Sequence, residues 1–178
     1  MAGMRDVTER LSLDRPADPA AAFTAVAEAV WWVTIIDARL VRQYTDLYDD
    51  VLVAHAAVQR PVIEGTLAGL RFVRNTMSFP RERADFIRPP ADPGGDGPDG
   101  GDAGVLAAWT WQRMPEAALE RLPATMRPWE ANRYRAYRAW LADRAVGEVF
   151  GRAAAFLNVA ASRAAPSSRA GALAGRQD

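Results

Sequence analysis

The sequence predicts a mainly α-helical domain, a bundle of four or five helices with a short β-strand or hairpin inserted into it. Three observations support this fold class. Apolar residues recur at steps of three and four over most of the chain, which is the period of a helix buried on one face. One short segment, VLAAWTWQRM at residues 105–114, alternates instead, as a half-buried strand does. An acidic stretch rich in Gly and Pro, residues 88–104, precedes this strand, and we expect it to be a mobile loop.

Composition sets the first limits on function. The chain has 178 residues, enough for one domain with a hydrophobic core, and its 22 basic residues are all arginine, balanced by 22 Asp+Glu. A net charge of zero disfavours a general electrostatic binder of nucleic acid. Because the chain has no cysteine and one histidine, a disulfide framework, a thiol nucleophile and a multi-histidine metal site are excluded. We expect neither a metal nor a cofactor.

The first helix is predicted to begin at Asp18 and to end near Tyr44 or Leu47, after a loose N-terminal segment at residues 1–18. Asp18 is a capping residue, and Pro19 suits the first turn of a helix. Polar residues interrupt the apolar part of this helix, and the N-terminal segment is polar. We therefore expect a core helix, no membrane span and a cytoplasmic protein. The predicted buried stripe comprises Phe23, Val26, Val30, Val33, Ile36, Leu40 and Tyr44.

Two further helices are predicted before the acidic loop, at about residues 47–59 and 62–77, and Pro80 closes the second of them. The nearest candidate partner for the alternating strand is the segment at residues 84–87.

Two helices complete the predicted domain, one with a buried face that starts at Trp129 and one with a face that starts at Val146. The last fifteen residues, 164–178, are small and polar, and we expect a disordered tail. The single domain is thus predicted to span residues 19–163.

Two charged residues are predicted to lie on apolar helix faces. Asp37 lies inside the apolar arc of the first helix at 100° per residue, and Arg74 lies inside that of the third, with Arg71 at its edge. Buried charges need partners, so we expect Asp37 and Arg74 to form an ion pair across the helix interface. A structural pair that fixes helix register is the simplest interpretation, and a functional site that uses the same arginine is the alternative.

Four of the six tryptophans form two close pairs, Trp31 with Trp32 and Trp109 with Trp111. Trp31 and Trp32 project off the main buried stripe, which predicts a second surface for packing, for a partner chain or for a ligand. We expect the two pairs to lie near each other. A basic stretch interleaved with aromatic residues could also contact RNA, although periodicity favours a solvated face for its arginines, Arg127, Arg133, Arg135 and Arg138.

Arg74 and Asn75 occur near a helix end in the string GLRFVRNTMSF, after a long helix with a tryptophan pair and an aspartate (AVAEAVWWVTIIDARL). This order resembles the HEPN superfamily, whose signature is Arg-Asn-x-x-x-His, and the later segments are similar to small actinobacterial proteins of unassigned function. The resemblance spans most of residues 20–160 and implies a dimeric helical domain. In active members of the family, the arginine and the histidine act in metal-independent RNA cleavage, in which a guanidinium stabilises developing charge.

The histidine of that signature is replaced here by Phe79, and the single histidine of the chain, His55, lies elsewhere. Loss of a general acid or base costs about 10²- to 10⁴-fold in rate. The resemblance therefore implies a non-catalytic HEPN-like domain that acts by binding, as a homodimer, with another protein or with RNA. The alternatives are an endoribonuclease that uses Arg74 and Asn75, with His55 as a weak candidate base, and a structural protein with no nucleic-acid role.

Overall fold

The computed structural model describes residues 19–77, 86–89, 109–120 and 122–174, with residue 19 and residues 166–174 described by their backbone alone. These ranges contain six helices and two short strands: α1 (Pro19–Gln43), α2 (Thr45–Val53), α3 (Gln59–Met77), β1 (Ile87–Arg88), β2 (Thr110–Trp111), α4 (Ala117–Glu120), α5 (Arg127–Trp140) and α6 (Val146–Ala174). The predicted fold class, mainly helical with a small inserted strand pair, is confirmed. The predicted N-terminal segment and residues 90–104 of the acidic loop lie outside the described residues.

The helix α1 packs by one face against α3 and α6. The predicted stripe supplies that face, with Val26, Val30, Val33 and Leu40 fully or almost fully buried. By length and mean hydropathy (1.4 for Ala20–Gln43) α1 could cross a membrane, a property that it shares with core helices of soluble proteins. Its buried side here faces other helices of the same domain.

The helix α3 lies in contact with three others, α1, α5 and α6, so it is the centre of the bundle. It begins at Gln59, earlier than predicted, because Pro61 is accommodated in its first turn, where a missing backbone N–H costs nothing. Two glycines of α3 face α5: a Cβ at Gly65 would overlap the Trp140 ring, and one at Gly69 would lie 3.1 Å from the backbone Cα of Tyr137. The absence of side chains there lets the two helices approach closely.

The tryptophan-rich segment forms the predicted strand pair. β1 and β2 are antiparallel, with Ile87 opposite Trp111 and Arg88 opposite Thr110. A third segment, not predicted, bonds the other edge of β2: Thr110 forms a bridge with Ala145, and the Val146 N–H donates to the Trp109 carbonyl at 2.7 Å. The strand is therefore held between β1 and the turn that precedes α6.

The turn between α5 and α6 contains Asp143, which has a positive φ of 63°. Its backbone N–H donates to the Trp111 carbonyl at 2.8 Å, so the turn is fixed to β2. The helix that follows, α6, continues to Ala174. A disordered tail was expected from Ala164, whereas the described backbone of residues 164–174 is helical; residues 175–178 lie outside the described residues.

Candidate functional site

The predicted buried carboxylate is present at the interface of α1 and α3. Asp37 has no exposed surface. Its Oδ2 accepts from Arg71, by the Nε at 2.8 Å and also by the Nη2, and its Oδ1 accepts from the Tyr48 hydroxyl at 2.6 Å. Both oxygens have donors, which is what burial of a carboxylate requires.

The prediction that Arg74 pairs with this carboxylate is wrong, because the ion pair of Asp37 is with Arg71. The reason is helix register. The Arg74 guanidinium lies 5.9 Å from the ring centroid of Trp31, which is six residues before Asp37 on α1. Since α1 and α3 run antiparallel, Arg74 lies almost one turn beyond the carboxylate, whereas Arg71 reaches it from the edge of the buried face.

Arg74 and Asn75, the two residues that match the HEPN signature, belong to a polar network between α3 and α5. The Arg74 Nε and Nη2 both donate to the Asn75 Oδ1 at 3.2 Å. The Asn75 Nδ2 donates to the Oε1 of Glu130 at 2.7 Å, and the same oxygen accepts from the Nη1 of Arg133 at 2.5 Å. Asn75 thus uses both ends of its amide to link an arginine to a carboxylate.

Glu130 is the centre of this network and was not among the predicted residues. It is buried, although it belongs to a charged residue type that is almost never buried unless paired. Its position could be found from the sequence, because it precedes the buried Tyr134 and Tyr137 by four and seven residues and so shares their helix face. Its second carboxylate oxygen, Oε2, has no hydrogen-bond donor among the described residues.

His55, the weak candidate base, lies in the turn after α2. Its Nδ1 is 2.7 Å from the Val51 carbonyl, which can only accept, so Nδ1 carries a proton. The ring packs edge-on against Phe156 of α6, with centroids 5.8 Å apart. No contact with Arg74 or Asn75 is present at His55, and the position of Phe79 lies outside the described residues.

The four paired tryptophans divide into two environments. Trp31 and Trp32 are 50% and 41% exposed on α1, whereas Trp109 and Trp111 are buried. The Trp111 ring packs against Tyr137 and Phe150. Trp109 and Trp111 are therefore core residues and not part of a binding surface, which corrects the prediction for these two, while Trp31 and Trp32 remain available.

The arginines of the basic stretch have local structural partners in the described part of the chain. Arg127 donates to the carbonyls of Glu120 and Leu122, and Arg133 is paired with Glu130. Arg135 donates to Asn132, and Arg138 lies over the Tyr134 ring. Three or more His, Cys, Asp or Glu side chains do not come together as a metal-binding group anywhere in the described ranges.

Comparison with known proteins gives no match to a family model, to a curated protein or to a solved structure. A function must therefore be argued from the structure itself. Its three notable features are the buried Asp37 pair, the network around Glu130, and the exposed apolar surface of α1.

Proposed function

We propose that the chain is a non-catalytic, HEPN-like helical domain of the cytoplasm that acts by protein association, as a homodimer formed through α1. The observation that carries the proposal is the exposed apolar surface of α1, whose centre is Trp31, Trp32 and Ile35, the last 45% exposed. Contiguous apolar side chains on an otherwise polar surface mark interaction sites. Tryptophan in particular is enriched among residues that dominate binding energy.

The charges that flank this α1 surface favour a second copy of the same chain as the partner. The exposed residues Glu28, Arg39 and Arg42 lie with Trp31 and Ile35 within an arc of about 100° on the helix. The acidic residue is on the N-terminal side and the arginines are on the C-terminal side. An antiparallel pairing of two α1 helices around a twofold axis therefore brings each acidic end against a basic end, whereas a parallel pairing brings like charges together.

The network around Asn75 supports the non-catalytic part of the proposal. Asn75 is held by Glu130, and its carbonyl oxygen holds Arg74. The proton-transfer group of the HEPN signature is replaced, and His55 packs against α6 instead. These residues provide structural contacts, with no general base beside Arg74 among the described residues.

The oligomeric state tests the proposal directly. We expect sedimentation velocity to show a dimer at micromolar concentration and Ile35→Arg to shift it to a monomer. The matched control is Val58→Arg, the same kind of change at another exposed β-branched residue, which lies outside the α1 surface (82% exposed) and should leave the dimer intact. A monomeric wild type, or equal effects of both variants, would refute association through α1.

A charge-swap experiment tests the antiparallel arrangement. Glu28→Arg makes the α1 surface wholly basic, and Arg39→Glu with Arg42→Glu makes it wholly acidic. Each variant alone should self-associate more weakly than the wild type, by roughly three- to tenfold per reversed pair, while a mixture of the two should recover dimerisation as a heterodimer. Dimers of equal strength in all three samples would exclude this arrangement.

Ribonuclease activity is the alternative that needs a separate assay. Labelled RNA incubated with the protein in the absence of metal should remain intact. Cleavage that disappears in Arg74→Ala would establish the endoribonuclease instead and would refute the non-catalytic assignment.

A further inference from the structure

A cavity of about 220 Å³ lies between the C-terminal half of α1 and α6, and we call it the α1–α6 groove. Its walls include Ile36, Arg39, Leu40 and Gln43 of α1 and Ala161 and Ala165 of α6. The small side chains of the alanines leave space on the α6 side. Because Arg39 also belongs to the exposed surface of α1, the groove is continuous with the surface proposed for dimerisation.

The two exposed tryptophans of α1 lie on different sides of the helix. Trp31 and Trp32 are about 100° apart around its axis. Trp31 is on the α3 side, where its ring centroid lies 5.9 Å from the Arg74 guanidinium. Trp32, 41% exposed, is on the α6 side, and Ile36, one turn further along α1, lines the groove. Helical side chains tilt toward the N-terminus of their helix, so Trp32 points away from the groove of its own chain.

Symmetry determines which side chain of a second copy faces the groove. Two antiparallel helices are related by a twofold axis perpendicular to both, and rotation about this axis keeps the α6 sides of the two copies together. The pairing of Glu28 with the partner's Arg39 and the partner's Arg42 places the axis close to Ile35. The partner's Trp32, roughly three residues from the axis, is then level with the groove, and its tilt carries the indole into it.

We propose that the α1–α6 groove of each protomer is the binding site for the partner's Trp32, an inference that rests on the antiparallel dimer proposed above. Ile36 and the alanines of α6 contact the indole, and the Arg39 guanidinium lies over its face as a cation–π contact. The Nε of Arg39 donates to the Gln43 Oε1 at 3.0 Å, which holds the guanidinium at the rim of the groove. The twofold axis makes this insertion occur twice in each dimer.

Photo-cross-linking identifies what position 32 contacts. The photoreactive amino acid p-benzoylphenylalanine replaces Trp32 in one protein and Trp129, an exposed tryptophan of α5, in the control. We expect position 32 to give a cross-linked dimer in which the attached peptide of the partner contains Ala161 or Ala165, and position 129 to give no cross-linked dimer. Attachment of position 32 elsewhere, or the absence of a cross-link in a protein that is dimeric by sedimentation, would overturn the proposal.

A variant that fills the groove tests the same contact by affinity. Ala165→Phe places a ring in the groove from the α6 side and should weaken the dimer by about tenfold or more, as should Trp32→Ala. The matched control is Ala155→Phe, the same change at an exposed alanine of α6 outside this groove, which should leave the dimer unchanged.

The double variant distinguishes a direct contact from two independent effects. Once Trp32→Ala has removed the side chain that enters the groove, Ala165→Phe should weaken the dimer no further, because residues in contact are not additive. Additive losses would overturn the proposal. Ala165 is exposed, so we expect the variant to fold, and a thermal melt checks this. The cross-linking result decides the question if it does not.

Sedimentation velocity separates this proposal from the dimer on which it rests. If the wild type is dimeric and Ile35→Arg is monomeric, while Ala165→Phe dimerises as the wild type does, the α1 dimer stands and the groove is not its binding site. A monomeric wild type would overturn both proposals.

Discussion

The Nε of Arg71 donates to the Oδ2 of Asp37 over 2.8 Å, across the interface between α3 and α1. Asp37 is fully buried, while the Arg71 side chain keeps 30% of its surface exposed. The pair therefore joins a carboxylate in the core to an arginine whose stem extends from the edge of the bundle. Tyr48 of α2 donates to the other oxygen, so three helices meet at one carboxylate.

Removal of Arg71 should destabilise the fold more than removal of Arg74. Arg71→Met leaves a buried charge with a single donor, and we expect a loss of about 3 kcal/mol in the free energy of unfolding. Arg74→Met leaves the carboxylate paired and should cost much less. Urea denaturation of both variants measures the difference.

The matched control for this comparison is Arg60→Met. Arg60 pairs with Glu64 at 3.1 Å on the exposed side of α3, with both side chains nearly half exposed. Such a surface pair should be worth no more than about 0.5 kcal/mol. If Arg71→Met lowers the free energy of unfolding as little as Arg60→Met does, the buried Asp37 carboxylate is not stabilised by Arg71.

Stability at high pH should depend on Tyr48. Burial, and then the charge of Asp37 and the hydrogen bond to it, raise the pKa of Tyr48 above its usual value of 10.0. Above about pH 10 the unfolded chain therefore loses a proton that the folded state keeps. The free energy of unfolding is at its full value below about pH 10 and decreases as the pH rises further. The decrease amounts to about 1.4 kcal/mol per pH unit for one tyrosine.

The variant Tyr48→Phe isolates this contribution. At neutral pH it should cost about 1–2 kcal/mol, because Asp37 loses one donor. Above pH 10 its stability should fall less steeply than that of the wild type. Some decrease should remain, since burial also raises the pKa of Tyr137. Parallel pH profiles of the two proteins from pH 8 to 11 would contradict the assignment.

The buried faces of α1 and α3 could be predicted from the sequence because they depend on local periodicity, whereas Trp129, expected on the buried face of α5, is 76% exposed. The stripe of α1 and the burial of Asp37 follow from the spacing of apolar residues, and the structure confirms both. The partner of Asp37 could not be predicted in the same way. Whether Arg71 or Arg74 reaches Asp37 depends on the axial position of α3 relative to α1. The apolar pattern of either helix alone does not specify that position.

The candidate site was predictable only in part for the same physical reason. Asn75 was identified as a motif residue, but its partner Glu130 is 55 positions away and is joined to it by packing of α3 on α5. The bridge between Thr110 and Ala145 likewise joins two segments that are distant in sequence, and the alternation within one segment does not predict its partner. Trp109 and Trp111 are two positions apart, so they lie on the same face of the extended segment, and both are buried, as the local alternation predicts.

The close approach of α3 and α5 should make Gly69 intolerant of a side chain. A Cβ at this position would lie 2.6 Å from the Leu141 Cδ1 and 3.1 Å from the Tyr137 Cα, and the backbone atom cannot move without moving α5. We expect Gly69→Ala to cost about 1–3 kcal/mol by overpacking, which outweighs the better helix propensity of alanine.

A glycine in a free environment provides the control for this prediction. A Cβ at Gly151 of α6 would meet no atom within 4 Å. Gly151→Ala should therefore stabilise the protein by about 0.4–1 kcal/mol, the gain from a less flexible unfolded chain. Thermal melts of the two variants should shift in opposite directions, and a shift in the same direction would mean that α3 and α5 are not in close contact at Gly69.

The turn at Asp143 should tolerate glycine better than alanine. Its φ of 63° is in the left-handed region, which costs a residue with a Cβ about 1–2 kcal/mol and which aspartate tolerates through local hydrogen bonding. Asp143→Ala should therefore destabilise the protein by about 1 kcal/mol, and Asp143→Gly should have little effect. Both variants lose the exposed ion pair with Arg113, so Arg113→Ala measures that part alone. Urea denaturation measures the stability of both variants. If Asp143→Gly is less stable than Asp143→Ala, the backbone angle does not determine which residue this turn prefers.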